Sequence, residues 1–330
     1  MNQHLGKRIG NKMIRMILLV IASSILTFML MKASPIDPLQ ANVGQAALGS
    51  MSQEQIEKLN EYWGVGTSPV KQYLNWAFDF VRGDMGTSLL YRQPVSEVIA
   101  VKLMNSLFLM VIAWGLSGVL GFFLGVLSGM NRGRWIDRLV KGYCLLISST
   151  PAFWLALLLL MIFGVWLKVL PIGLSVPIGV ETAGVTLQDR LYHAVLPALT
   201  LSITGVSNIA LHTREKMIGI MDSDFVLFAK ARGEKGWILF RNHGFRNALL
   251  PALTLHFAAI SEIFGGSILV EQVFSYPGLG QAAVSAGLGS DMPLLMAIAI
   301  LSALIVFGGN MIADILYGIV DPRIRKGGAG

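Results

Sequence analysis

Three ionisable side chains stand inside runs that are otherwise apolar: His256, Glu262 and Asp314. An acidic residue at mid-bilayer costs about 2.5–3.5 kcal/mol on insertion scales, so one kept there marks either a polar pathway or a satisfied pair. His256 and Glu262 are six residues apart, about 600° around a helix, and point away from each other. That spacing argues against a shared metal site on one helix. Glu262 lies in the middle of its run, where it can line a pathway or serve as a protonated, helix-paired carboxyl. Asp314 lies nearer the end of its run and reads as a partner for helix ends or basic neighbours; His256 reads as packing. The 16 methionines offer soft thioethers for a metal, but they are scattered among Leu and Ile, as packing residues are. Cys144 is the one cysteine, so no intrachain disulfide can form, and it too reads as packing. No Cys or His spacing suits a metal. Nor is there a nucleophile–base set or a Gly-x4-Gly-Lys-Ser/Thr phosphate loop, a spacing that Gly233 to Gly236 does not meet. The chain reads as neither an enzyme nor a nucleotide binder.

The elements that must hold these residues are membrane spans. Of the 330 residues 54% are hydrophobic and 14% charged, against about 25% charged in ordinary soluble domains. The apolar residues are segregated into blocks long enough to cross a bilayer. Six spans are expected, near 16–33, 105–130, 143–167, 193–211, 249–270 and 294–320, in one domain covering 1–330. The N-terminal run resembles a signal peptide in its flanking charges, but no small-residue cleavage site follows, so it reads as the first span. Pro35 and Pro38 end it. A long outer loop, 34–102, follows and carries Glu54, Glu57 and Glu61 on a short helix.

The formal charge of +7 would suit nucleic acid, but its placement points to membrane topology. Basic residues gather before span one (Lys7, Arg8, Lys12, Arg15), after span two (Arg132, Arg134, Arg138, Lys141), between spans four and five, and after span six (Arg323, Arg325, Lys326). The segment 272–293 has none. By the positive-inside rule both termini then face the cytoplasm. Span two also carries Gly118, Gly121, Gly125 and Gly129, a small-residue stripe that lets helix backbones approach; ordinary packing within the chain is favoured over a place at a subunit interface.

The richest polar island is LHTREKMIGIMDSDFVLFAKARGEKGWILFRNHGFRNALLP, Leu211 to Pro251, with Arg214, Lys216, Lys230, Arg232, Lys235, Arg241 and Arg246. Asp224 is placed to cap a helix starting at Phe225. Phe225, Val226, Phe228 and Ala229 give that helix an apolar face, and Gly233 and Gly236 suit helix C-terminal positions. Such a helix, lying flat between two spans, rests on lipid headgroups or presses against a partner.

The run DFVLFAKARGEKG followed by RNALLPALT resembles the cytoplasmic signature loop of ABC-importer permeases, in the dipeptide, oligopeptide and nickel branch. The matching places are Phe225-Val226, Ala229 to Gly233, and Arg246 to Pro251; the Glu that opens the motif in other branches is absent, and Phe228 stands near its place. LVIASSILTFMLMKASPIDPL, GDMGTSLLYRQPVSEVI, GGSILVEQVFSYPGLGQ and ADILYGIVDPRIR resemble further family passages in the same order, covering nearly the whole chain. With its long first outer loop, the chain is similar to the first of the two permeases in such systems, the DppB, OppB or NikB type.

The resemblance implies an all-α, six-span, type I importer-like (MetI-like) permease in the cytoplasmic membrane of a bacterium or archaeon. It implies that the loop 212–248 carries the coupling helix, with Asp224, Phe225, Phe228, Ala229, Ala231, Arg232, Gly233 and Gly236 engaging an ATPase. The implied partners are a second homologous permease, two ABC ATPase subunits or domains, an extracytoplasmic solute-binding protein and membrane lipid, with no nucleic acid. ATP and Mg would be bound by the ATPases and no cofactor by this chain. The competing reading is an ion-coupled secondary transporter built on Glu262 and Asp314.

Overall fold

The computed structural model describes residues 2–36, 51–62, 67–176 and 185–320. In chain order the helices are α1 (Asn2–Ala33), α2 (Gln53–Tyr62), α3 (Pro69–Val81), α4 (Val95–Met130), α5 (Trp135–Ser148), α6 (Ala152–Leu159, continuing as a π-helix through Trp166), α7 (Leu187–Met221), α8 (Asp224–Ala231), α9 (Gly236–Leu239), α10 (Phe245–Ala258), α11 (Ile260–Val273), α12 (Leu279–Leu288) and α13 (Met292–Val320). The described residues hold no strand, only an isolated bridge between Thr87 and Pro94. The chain is an all-α protein. The basic stretch DPRIRK expected after span six lies outside the described residues, as does much of the early outer loop.

Among the described residues four helices are long and apolar enough to cross a membrane: Lys12–Ala33 of α1, then α4, α7, and Met292–Asp314 of α13. Two bent pairs bring the number to six if each counts as one crossing: α5 with α6, bent by 105°, and α9–α10 with α11, bent by 46°. Where the sequence suggests straight third and fifth spans, the structure has these bent helix pairs. Between α5 and α6 stands Pro151, which has no N–H for the helical ladder and starts the second helix instead. The second and fourth spans are also longer than expected. α4 begins at Val95, and α7 runs on through Arg214, Glu215 and Lys216 to Met221. The short helix expected around Glu54 is α2.

Two compact units divide the chain: 1–105 with 277–307, and 106–276 with 308–330. In the first, Tyr73 of α3 meets α1 through its hydroxyl, 2.8 Å from Ser24 Oγ, and its ring stands edge-on to Phe28 at 5.4 Å. The GDMGTS passage forms a knot there. The Gly86 N–H donates to Asp84, the Val95 N–H to the Gly86 carbonyl, and the Ser88 hydroxyl and Leu90 N–H to the buried carboxylate of Asp291. The other Asp291 oxygen accepts the Leu294 N–H at 3.2 Å and so caps the start of α13.

The second unit is built around α7. One core cluster joins Leu109 and Ala113 of α4, Ala156 of α6, Leu196 and Leu201 of α7, and Phe274 beyond α11. A second gathers Phe122, Val126, Met217, Phe240 and Ala252. The glycine stripe of α4 packs within the chain, as its spacing suggests: a β-carbon on Gly125 would stand 2.6 Å from the Ala210 carbonyl oxygen and from Thr213 Cβ. Backbones this close bring many atoms into contact, which is how helices associate where lipid removes the hydrophobic drive.

Candidate coupling surface

α8 is defined at both ends by local chemistry. Its N-cap is Ser223 in extended conformation, and Asp224 is the first helical residue rather than the cap expected from the sequence. The cap carries no side-chain hydrogen bond to the helix, because the Ser223 hydroxyl donates back to the Ile220 carbonyl. Asp224 in the first turn and Lys230 in the last still complement the helix dipole. At the far end the Glu234 N–H reaches the Ala229 carbonyl at 3.2 Å and the Gly233 N–H reaches Lys230 at 2.9 Å. This pair of bonds is a Schellman closure, and it puts Gly233 at φ +91°, where a β-carbon is strained. Gly236, also expected near a C-terminus, instead opens α9 at φ +54°.

The face of α8 divides into two. Val226 and Ala229 are buried against Leu239, Ile220 and Met221. Phe225, Leu227 and Phe228 are 48%, 52% and 66% exposed. Ala229, expected among the contacting residues, thus anchors the helix from beneath. Ala231, Arg232 and Gly233 lie exposed at its C-terminal end, with the Arg232 guanidinium 5.4 Å from the Phe228 ring centre. Glu234, which the sequence reading passed over, ties the turn together. Its carboxylate accepts from Arg232 at 3.0 Å, Asn242 at 3.2 Å and His243 at 3.0 Å. The Asn242 amide holds that carboxyl below the ordinary Glu range against the opposing effect of burial, with His243 and Arg232 adding to the lowering. The tie is therefore present at neutral pH and is lost as the pH falls through the lowered value.

A second feature missed in the sequence lies beneath this loop. Asp137 of α5 and Arg214 of α7 form a buried fork–fork pair, Nε to Oδ1 at 2.6 Å and Nη2 to Oδ2 at 2.9 Å. Ser128 of α4 and the Gly133 N–H also donate to Asp137. Four donors on one carboxylate join α5 to the ends of α4 and α7, and α8 packs on Ile220 and Met221 at the last turn of α7.

The sequence of residues 121–326, more than half of the chain, matches the family described as binding-protein-dependent transport system inner membrane component. The chain belongs to this family. Its relatives agree along nearly their whole length. The permease is 36% identical over 310 residues to the oligopeptide transport system permease protein AppB of Bacillus subtilis, covering 93% of this chain and 95% of AppB. It is 34% identical over 309 residues to a putative peptide transport system permease of Brucella abortus (94% and 95% covered). To the probable D,D-dipeptide transport system permease protein DdpB of Escherichia coli it is 31% identical over 329 residues (95% and 96%). It is accordingly a multi-pass inner-membrane transport subunit, and the secondary-transporter reading does not fit its family.

The in-membrane ionisable residues separate in the permease. His256 is buried, stacked on Trp114 with ring centres 4.0 Å apart, and a β-carbon on Gly118 would strike its Nε2 at 2.4 Å; this is packing, as its place suggests. Glu262 is exposed on α11 and accepts a hydrogen bond from Asn208 of α7 at 3.3 Å. Asp314 is exposed on α13. Glu271, beyond the expected end of span five and so not weighed among these groups, is buried and accepts from Ser106 at 2.6 Å.

Proposed function

We propose that this permease is one of two membrane subunits of an ATP-driven peptide importer, and that α8 is where a cytoplasmic ATPase engages it. The observation that carries this reading is the exposed Phe225–Leu227–Phe228 face, on a short helix whose opposite face is anchored in the chain. Apolar groups so arranged are normally covered, and a groove that desolvated one Phe would gain about 1.5–3 kcal/mol. Residues in the turn beyond it are fixed by Glu234, so motion of the ATPase would reach α7 and α10 without being lost in a slack loop. Peptides are favoured over nickel because the relatives named above are peptide permeases. In this reading a second permease completes the pathway, a solute-binding protein delivers substrate from outside, and Mg-ATP is held by the ATPases. Glu262, with Asn208 beside it, lines the pathway.

The test replaces Phe225 and Phe228 with Ala and measures ATPase copurification and peptide uptake. Each truncation is expected to weaken ATPase association by about tenfold or more, and the double variant to abolish uptake, with the chain's own thermal stability unchanged. Full ATPase retention with wild-type uptake would leave α8 as a membrane-surface connector. Gly233→Trp would be a poor probe, because strain at its positive φ would disturb the helix end whether or not a partner docks there.

A further inference from the structure

Beside α8 lies a cleft of about 780 Å³ whose lining is both apolar and basic. Its apolar residues include Phe123 and Leu127 of α4, both nearly half exposed, and the exposed Trp237 of α9. Its basic residues are Arg132, Arg134, Lys230 and Lys235. Two acids share the lining, and both are engaged: Asp222 with Arg132 at 3.0 Å, and Glu234 with Arg232, Asn242 and His243. The side chains of Arg134 and Lys235 make no ion pair among the described residues. Lys230 donates to the Met221 carbonyl at 3.1 Å. We propose that this cleft holds an acidic phospholipid, its phosphate against Arg134 and Lys235 and an acyl chain along Phe123 and Leu127.

Three features favour a lipid over other anions. Phe123 and Leu127 belong to the last turns of α4, a helix apolar enough to cross a membrane, so an acyl chain is a fitting neighbour for them. Trp237 at the mouth has the amphipathic ring that settles at headgroup level. Basic pockets between spans on the cytoplasmic side select anionic headgroups, because the leaflet there is negative and the site is only partly screened. The cleft shares Lys230, Glu234 and Gly236 with the turn that closes α8, so a bound lipid would stiffen the mount of the coupling helix. The inference rests on the orientation proposed above. Its test needs no ATPase, so it fails separately from the docking reading.

The full chain, purified in a non-ionic detergent, is titrated with dioleoyl phosphatidylglycerol or dioleoyl phosphatidylcholine, and bound lipids are counted by native mass spectrometry. Phosphatidylglycerol should bind at one preferred site, about tenfold or more tighter than phosphatidylcholine. Arg134→Gln with Lys235→Gln should remove that preference. Arg138→Gln with Lys141→Gln, in the same basic segment but outside the cleft, should keep it. Equal binding of the two lipids, or an unchanged preference in the Arg134/Lys235 variant, overturns the proposal. So does displacement of the lipid by millimolar inorganic phosphate, which would make a free anion the ligand.

Discussion

At the scale of single residues, the two kinds of charge in this chain behave differently. Arg214 and Asp137 are desolvated and fully bonded. Removing Arg214 leaves Asp137 buried without a counter-charge, which typically costs about 3–5 kcal/mol. Removing Asp137 leaves Arg214 its second partner, the exposed carboxylate of Glu215, and should cost less. Arg214→Met alone should lower the midpoint of thermal unfolding in detergent markedly, and Asp137→Ala by less. The double variant Arg214→Met with Asp137→Leu should regain most of the loss, because two apolar groups leave no orphaned charge. Equal stability of Arg214→Met and wild type would show that the pair has no structural part. Glu262 has one long hydrogen bond among the described residues, from Asn208, and is otherwise exposed, which favours the proposed pathway role over a structural one. Glu262→Gln should change uptake while leaving assembly and basal ATPase activity of the complex near wild type; lowered assembly would make it a packing residue, and unchanged uptake would remove it from the pathway.

At the scale of elements, the glycines of α4 make the sharpest contrast. Gly125 faces Ala210 and Thr213 at distances no β-carbon tolerates, whereas Gly115 has nothing within 4 Å. Gly125→Val should therefore destabilise by about 1–3 kcal/mol or force α7 away, and Gly115→Ala should be neutral or slightly stabilising; thermal unfolding of the two variants decides it. This stripe was legible in the sequence because its four-residue spacing is a local pattern. The existence of the spans was legible for the same reason, as blocks of apolar residues. So was the end of α8, since a glycine in the left-handed region is dictated by the turn itself. Their extents were not. Arg214, Glu215 and Lys216 look like loop residues, yet a helix keeps its backbone bonds whatever its side chains, and Arg214 is neutralised by a residue 77 positions away. The Ser88–Asp291 bond spans 203 positions, beyond any local pattern. The split of α8 into a buried Val226–Ala229 side and an exposed Phe225–Phe228 side likewise depends on Leu239, which arrives from the next helix.

At the scale of the whole molecule, orientation follows from charge rather than from any contact. Lys and Arg cross a bilayer poorly in short loops, and the loop between α7 and α10 is dense in them, while the segment 272–293 has none. The first should face the cytoplasm and the second the outside. Cys144 is buried, so a Cys144→Ser background removes residual labelling without losing a surface group. In that background Leu288→Cys, on the exposed end of α12, should react with a membrane-impermeant maleimide in intact cells. Arg241→Cys, exposed in the basic loop, should react only after permeabilisation. The reverse pattern would invert the chain in the membrane. It would put α8 where no cytoplasmic ATPase could reach it, and the Arg134–Lys235 cleft against the outer leaflet. Both proposals would then fall on one measurement, even though each also has a test of its own.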